Sequence, residues 1–312
     1  MNKSAALITV NPTVDVLFQG EDFSFNQKIF AKHSCIAVGG SAVNIARGLQ
    51  ALGQSFKLYT IIGGNIGRLA YVLLVKGEIP FCFTQNSKET RLTAIWGRDR
   101  QRRMLVTPSP KIDSASLRKF INQHYQEIAK HDIVLIGGSV PEESSEYLVW
   151  NMVRPLIKQG TKVIIDSRGL FAKKTYKEVP YVAMYNREVR LNPHQHAQRV
   201  NRRFCGAHDL YKKGISLVIY NTNKYSYAIY ENHIWRYPNP TQVTMRIYGR
   251  GDAFLAGLVS ALLDNCSFDE AVRFAIICRA SFTRDFPLGE ISCELIPNYR
   301  RNIQSDAKWR IL

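Results

Sequence analysis

The sequence predicts an α/β protein whose mostly parallel sheet is flanked by helices on both faces. Short apolar runs of strand length alternate with longer amphipathic runs along the 312 residues, which is typical of repeated strand–helix–strand units. A chain of this length can also bury a large core. The predicted strands lie at 5–10, 56–62, 133–136, 162–165, 181–184 and 216–220. The predicted helices lie at 43–52, 67–75, 114–129, 145–158 and 193–211.

Three segments depart from this alternation. Residues 225–230 and 233–237 have the pattern of a β-hairpin, and the pair Glu231-Asn232 between them suits a tight turn. Residues 14–38 and 90–106 carry strand-like runs with polar tips. We therefore expect extra β-structure in these two stretches, apart from the main alternation.

The composition argues against several classes of protein. No apolar run reaches the ~18 residues of a membrane span, and the first residues lack a signal-peptide cleavage region. We therefore expect a cytoplasmic protein without a membrane partner. Six cysteines are scattered without Cys-x-x-Cys spacing, which predicts reduced, mostly buried thiols rather than a disulfide framework or a metal site.

The formal net charge of +17 indicates an anionic partner. Nucleic acid, an anionic surface, or a strongly anionic substrate would each fit this charge. No zinc-finger, homeodomain or RNP-type signature accompanies the basic residues, so nucleic acid is the least favoured of the three. The group Arg98, Arg100, Arg102 and Arg103 is either a phosphate-binding cluster or a solvated hairpin tip.

The segment Gly249-Arg250-Gly251-Asp252 is the strongest candidate for chemistry. Glycines allow a tight turn and close approach of the backbone to a ligand, and an apolar helical run follows directly. Free N–H groups at a helix start can hold a phosphoryl group, and a carboxylate beside them could take a proton from an attacking hydroxyl. The alternative is an ordinary helix entry with Asp252 as the N-cap.

Two N-terminal motifs favour the functional interpretation. The chain reads Asn-Pro-Thr-Val-Asp at 11–15, and Gly-Gly at 39–40 is followed by Asn44 in a helix that Gly53 would end. These motifs and the late Gly-x-Gly-Asp, in this order, resemble the ribokinase-like carbohydrate kinases of the PfkB family. Lys-Glu-Thr-Arg at 88–91 resembles the branch that contains 1-phosphofructokinase and tagatose-6-phosphate kinase.

The resemblance covers nearly the whole chain and implies a single ribokinase-like domain over residues 1–312. In that family, the segments corresponding to 14–38 and 90–106 form a small β-sheet lid over the sugar. Such a lid keeps water away from the phosphoryl group. The resemblance also allows a homodimer that forms through the lid.

The resemblance further implies ATP-dependent phosphoryl transfer to a hydroxyl of a sugar or sugar phosphate, with Asp252 as the general base. The amides of Gly249, Arg250 and Gly251 would form the anion hole. The implied substrate residues are Asp15, Gly39, Gly40 and Asn44 for the sugar and Arg91 for a substrate phosphate. The implied nucleotide residues are Asn186, Glu188, Asn221, Thr222 and Asn223, and Glu188 would reach Mg2+ through water.

Three of these residues also have structural interpretations. Asp15 could form an Asx-type turn after Pro12, and Asn44 could be a polar residue of a first helical turn. Arg91 could form an ordinary surface ion pair.

The departures from the family pattern lie mostly on the nucleotide side. Arg250 replaces the usual alanine, Glu188 comes one position earlier than the family's acid, and Lys224 stands in a loop that usually has glycine. Ser41 replaces a lysine that is frequent in the sugar-phosphate branch. A second hypothesis is therefore a catalytically impaired relative with a binding or regulatory role, and a third is a basic protein associated with nucleic acid.

Overall fold

The computed structural model describes residues 3–20, 28–98, 101–110, 112, 114–140, 149–166, 178–185, 206–240, 249–282, 291–297 and 303–310. The strands are β1 Ser4–Thr9, β2 Thr13–Gln19, β3 His33–Gly39, β4 Ser55–Gly63, β5 Phe81–Asn86, β6 Arg91–Arg98, β7 Gln101–Val106, β8 Ile133–Gly137, β9 Lys162–Asp166, β10 Val182–Met184, β11 Leu217–Asn221, β12 Tyr225–Tyr230, β13 His233–Pro238 and β14 Ala307–Arg310. The helices are α1 Ser41–Ala51, α2 Gly64–Lys76, α3 Ser114–Ile128, α4 Arg154–Lys158, α5 206–212, α6 Arg250–Leu263 and α7 Phe268–Ala280. Single turns of π-helix and 3-10 helix lie at Val149–Val153 and Cys293–Leu295.

Ten strands form the large sheet, in the order β14-β13-β12-β11-β10-β9-β8-β1-β4-β5. The seven strands from β11 to β5 pair in parallel, whereas β12, β13 and β14 add antiparallel pairs at one edge. The β12–β13 hairpin turns at Glu231 and Asn232, which have φ values of 48° and 60°. The predicted α/β fold and the predicted hairpin are both confirmed.

The core lies on both faces of the large sheet because consecutive β1 side chains point to opposite sides. Ala5 and Leu7 pack with α1, α2, α6 and α7, and Ala6 and Ile8 pack with α3 and α4. All four side chains are fully buried. Burying an aliphatic side chain such as Leu7 contributes about 1.5–3 kcal/mol, so this double coverage explains the uninterrupted apolar run of β1.

A second, four-stranded sheet has the order β3-β2-β6-β7. Strand β2 pairs antiparallel with β3 and parallel with β6, and β7 returns antiparallel beside β6. This small sheet is built from the two segments, 14–38 and 90–106, in which the sequence predicted extra β-structure. Its strand β2 begins four residues after β1 ends, so the small sheet starts at the carboxyl edge of the large one.

Some sequence-based expectations differ from the structure. Strands β5 and β14 were not predicted, and the predicted helices at 145–158 and 193–211 lie partly outside the described residues, which show helix at 154–158 and 206–212. The expectation of mostly buried cysteines is wrong for the described part of the chain, where Cys278 is buried but Cys35 and Cys293 are exposed. Each described cysteine is a free thiol, as expected. Among the described residues, no helix is long and apolar enough to cross a membrane.

Candidate active site

The candidate site lies at the carboxyl edge of the large sheet, where parallel α/β sheets bind their ligands. Strand β9 ends there with Asp166, and helices α1 and α6 begin there with Ser41 and Arg250. The turn before each helix is made by a glycine with positive φ, 107° at Gly40 and 88° at Gly249. These two turns set the first residues of α1 and α6 side by side.

Asp252 is the centre of this site. It is the third residue of α6, and the N-cap position belongs to Gly249. Its Oδ1 accepts a 2.6 Å hydrogen bond from the Ser41 hydroxyl, and its Oδ2 accepts a 2.7 Å bond from Nδ2 of Asn44. The alternative interpretation of Asp252 as a helix N-cap is therefore wrong, because its carboxylate faces another helix.

Ser41 also lies close to a second carboxylate, that of Asp166, with 3.1 Å between Oγ and Oδ2. A hydroxyl has only one hydrogen to donate, so it cannot donate to both carboxylates at once. A proton held on one of the carboxyls resolves this conflict. In keeping with that, burial raises the pKa of Asp252 to about 7, with the nearby Asp166 acting in the same direction and the bonds from Ser41 and Asn44 opposing.

Asp15 lies on strand β2 of the small sheet and is almost completely buried. Burial raises the pKa of Asp15, whereas hydrogen bonds from Thr13 and Thr93 and the charges of Arg47 and Arg91 lower it. Its Oδ1 has no hydrogen-bond partner among the described residues. A buried acceptor without a partner is unfavourable unless a ligand completes it, so this oxygen fits the predicted sugar-binding role better than an Asx-type turn.

Gly39 lies directly against Asp15. A Cβ atom at position 39 would be 1.9 Å from Oδ2 of Asp15, so only glycine fits there. The neighbouring Gly40 is the N-cap of α1, and its carbonyl accepts the Asn44 N–H at 3.0 Å. The two glycines thus allow Asp15 and the start of α1 to approach each other.

Arginine side chains connect these groups. Arg47 donates from Nη1 to Oδ1 of Asn44 at 3.1 Å and from Nη2 to the Val38 carbonyl. Arg91 donates to the Asn11 carbonyl at 2.9 Å, and burial lowers its pKa while Asp15 raises it. Because Arg91 is half-buried and bonds to backbone, its contacts differ from those of an ordinary surface ion pair.

The predicted nucleotide loop follows β11. Thr222 binds Tyr225 within the loop, with its Oγ1 2.9 Å from the Tyr225 N–H, and Asn239 donates to the Thr222 and Asn223 carbonyls. No residue from Asn221 to Lys224 has positive φ. Lys224 is therefore unstrained here, and the loop does not need the family's glycine. Asn186 and Glu188 lie outside the described residues.

Two arginines, one on α6 and one on α7, lie close to each other. Arg250, the first residue of α6, is 8% exposed. Arg279, near the end of α7, donates from Nη2 to the Thr222 carbonyl at 3.3 Å. Burial, and then the charge of Arg250, lower the pKa of Arg279 to about 10.

The structure thus brings several of the predicted residues into contact and adds others. Asp252 and Asn44 touch, Asn44 touches Arg47, and Gly39 touches Asp15. Sequence reasoning missed Ser41 as a partner of Asp252, since it appeared only as a lost lysine, and it missed Thr13 and Thr93 beside Asp15. Within the described ranges, no three His, Cys, Asp or Glu side chains cluster as metal ligands.

Comparison with known proteins assigns the family. Residues 21–281 match the model described as pfkB family carbohydrate kinase. This chain is therefore a member of the pfkB family of carbohydrate kinases.

Several solved structures share the fold. A possible 1-phosphofructokinase from Thermotoga maritima is 19% identical with a TM-score of 0.80, and 99% of this chain and 100% of that chain are covered. Phosphofructokinase-2 from Escherichia coli, in complex with substrates and products, is 18% identical with a TM-score of 0.79, covering 96% and 99%. Ribokinase from T. maritima is 15% identical with a TM-score of 0.71, covering 97% and 100%. The ribokinase-like fold is thereby confirmed.

Proposed function

We propose that this protein is an ATP-dependent kinase of a sugar or sugar phosphate, with Asp252 as the general base. The observation that carries the proposal is the position of Asp252 in the first turn of α6, where Ser41 and Asn44 fix both carboxylate oxygens. A carboxylate with a pKa near 7 is matched to proton transfer at neutral pH. It can accept the proton of an attacking hydroxyl beside amides that hold the phosphoryl group.

The contacts of each residue support a separate role in binding or catalysis. The negative charge of the transferred group would be stabilised by backbone N–H groups at the start of α6. These are the N–H groups of Gly249, Arg250 and Gly251. The unpartnered Oδ1 of Asp15 would accept a bond from a sugar hydroxyl. Asn44 would hold Asp252 and, with Gly39 and Gly40, shape the sugar pocket.

The proposed reaction uses ATP as the phosphoryl donor and Mg2+ as the metal cofactor. Mg2+ is commonly held by one or two carboxylates together with substrate phosphates, so the described residues need not form a complete cage. Asp166 offers one carboxylate close to Asp252, with Ser41 between them. Bound Mg2+ would neutralise charge on the phosphates, and Glu188 would contact it through water.

Arg91 is proposed to face a phosphate on the substrate. Its Nε has no hydrogen-bond partner among the described residues, and its Nη2 is fixed to the Asn11 carbonyl. A guanidinium held in this way has donors left for an anion. This arrangement supports a sugar phosphate over an unphosphorylated sugar.

We further propose that residues 1–312 form one domain in which the small sheet is the sugar lid, and that two copies pair through it. On the small sheet, Val16 lies opposite Ile36 and Ala94, and Ala94 lies opposite Leu105. Ile36 and Leu105 are 41% and 76% exposed. Asp15 is on the opposite face, so an apolar outer face is left for a second lid. The free thiols support the cytoplasm as the location.

One observation favours the second candidate, a catalytically impaired relative with a binding or regulatory role. Arg250 places a buried cation at the start of α6, where it would either bind the transferred phosphate or fill its place. The deciding experiment measures Mg2+-ATP binding by calorimetry and ATP turnover with a panel of sugars and sugar phosphates. Turnover that falls by about 10²–10⁴ in Asp252→Asn supports the kinase. ATP binding without turnover on any acceptor supports the impaired relative, and absence of ATP binding refutes the kinase.

A further inference from the structure

We propose that Arg279 and Arg250 together form a binding site for the phosphate chain of the phosphoryl donor, an inference that rests on the proposed kinase function. The expected ligand class is a linear polyphosphate, whether or not it carries a nucleoside. Arg279 is a position that neither the sequence motifs nor the family resemblance singled out.

The guanidinium of Arg279 is anchored to a backbone loop. Its Nη2 bonds the Thr222 carbonyl at 3.3 Å, which anchors the guanidinium to the loop after β11. The same carbonyl accepts Nδ2 of Asn239 at 2.9 Å, so the loop itself is fixed. Arg279 is thus held against the loop rather than extended into solvent.

The remaining N–H donors of the Arg279 guanidinium are available to a ligand. Its Nε and Nη1 are buried and have no hydrogen-bond partner among the described residues. A guanidinium has five N–H donors in a planar fork that matches phosphate oxygens. Leaving charged donors buried and unsatisfied is unfavourable, and a phosphate oxygen would satisfy them.

Arg250 lies close to Arg279. Helices α6 and α7 pack closely, since a Cβ atom at Gly257 would lie 2.7 Å from Sγ of Cys278. The charge of Arg250 on α6 lowers the pKa of Arg279 on α7. Two cations this close repel each other, so this arrangement favours an anion between or beside them. Arg250 is also the first residue of α6, and the free N–H groups of a helix start carry partial positive charge. Arg279, Arg250 and the start of α6 therefore supply three sources of positive potential that would favour a phosphate chain.

The test uses inorganic tripolyphosphate, which has the phosphate chain but neither base nor ribose. We expect the full-length protein to bind tripolyphosphate in calorimetry and ATP to compete with it. Arg279→Gln should weaken this binding by ~10-fold or more, the loss of a charge-assisted hydrogen bond. The matched control is Arg273→Gln, which removes the same charge from the same helix but from a partly exposed ion pair with Asp269, and it should change binding by less than about 2-fold.

Thermal unfolding separates this role from a structural one. If Arg279 serves a ligand, Arg279→Gln should unfold at or above the wild-type temperature without ligand, because a like-charge contact is removed. The variant should also lose most of the rise in unfolding temperature that tripolyphosphate gives the wild type. Arg279→Lys, which keeps the charge and loses the fork, is expected to bind at an intermediate level and replaces the glutamine variant if that one does not fold.

The outcomes distinguish this inference from the proposed function. Tripolyphosphate binding that depends on Arg279, without sugar phosphorylation, supports the phosphate site and overturns the kinase. Sugar phosphorylation by a protein that does not bind tripolyphosphate, or that binds it equally well as Arg279→Gln, overturns the phosphate site and leaves the kinase standing.

Discussion

Gly39 leaves room for the Asp15 carboxylate, because a Cβ atom at position 39 would lie 1.9 Å from Oδ2 of Asp15. The two residues belong to neighbouring strands of the small sheet, and Thr13 pairs with Gly39 while Asp15 pairs with Ala37. The absence of a side chain at position 39 thus decides where the Asp15 carboxylate points. Sugar binding should therefore depend on both residues.

Gly39→Ala should displace Asp15 and weaken sugar binding as strongly as Asp15→Ala does. We expect about 1–3 kcal/mol in each case, the usual effect of leaving polar partners unpaired, with ATP affinity little changed. Calorimetry with sugar and with ATP would measure both. Gly77→Ala, at the end of α2 with φ of −82°, is the control. Equal weakening of sugar and ATP binding would indicate a general structural role instead.

The pH dependence of turnover should follow Asp252. A general base must be ionised, and the pKa of Asp252 is raised to about 7, so kcat/KM should rise with pH through an apparent pKa near 7. Stability should change in the opposite sense. The folded state holds the proton between the ordinary value of 3.8 and about 7, and the unfolded state does not, so the stabilisation from Asp252 is lost as pH rises through this window.

Denaturant titrations at several pH values would measure that stability term. The Asp252→Asn variant, which cannot titrate, should lack both the rise in kcat/KM and this part of the pH dependence of unfolding. A pH profile without a transition near 7 in the wild type would speak against Asp252 as the base.

Ser41→Ala should move the acidic limb of the kcat/KM profile to higher pH. The Ser41 hydroxyl bonds the ionised form of Asp252, and this bond lowers its pKa. Its removal leaves burial and Asp166 to raise the pKa further. Ser55→Ala, at the start of β4 away from the site, should leave the profile in place. An unchanged profile in Ser41→Ala would show that Ser41 bonds Asp166 rather than Asp252.

Arg250→Ala should lower turnover and ATP affinity, even though alanine is the usual family residue. The reason is that a buried cation at the start of α6 favours an incoming polyphosphate. Calorimetry and steady-state assays of both proteins would measure the change. A gain of ATP binding or turnover in the alanine variant would mean that the Arg250 side chain blocks the anion hole.

Leu105→Asp should prevent pairing through the small sheet. Leu105 is 76% exposed in an apolar row, and burying a carboxylate between two copies is strongly unfavourable. Sedimentation of the wild type should show a dimer, and the variant should be monomeric. Val72→Asp, on the 58% exposed outer side of α2, should leave the dimer intact. A wild-type monomer would exclude this interface.

The parts of the fold that were predictable are those with strong periodic signals. Strand β1 is buried on both faces and therefore reads as an uninterrupted apolar run. Strand β5 escaped prediction because it lies at the sheet edge, where Phe83 is exposed and polar residues follow. Strand β14 is short and contains two basic residues, and its partner β13 is 69 residues or more away in sequence.

The parts of the site that were predictable are those carried by motifs. Asp252, Asn44 and Asp15 stand in ordered motifs, so their importance could be inferred before any geometry was known. The contacts of Ser41 could not, because a serine at a helix start usually caps its own helix. Whether its hydroxyl instead reaches a carboxylate 211 positions later depends on how α1 packs against α6.

The packing of α1 against α6 also determines when the site around Asp252 can be completed during translation. The first third of the chain contains Asp15, Ser41 and Asn44, but their partner Asp252 is made 208 positions after Asn44. Chains emerge from the ribosome amino end first, so the contact between Asn44 and Asp252 can form only after α6 has been made. Under the proposed function, an incomplete nascent chain would hold the proposed sugar residues without their base, and the onset of activity would report that the carboxyl-terminal helices have docked.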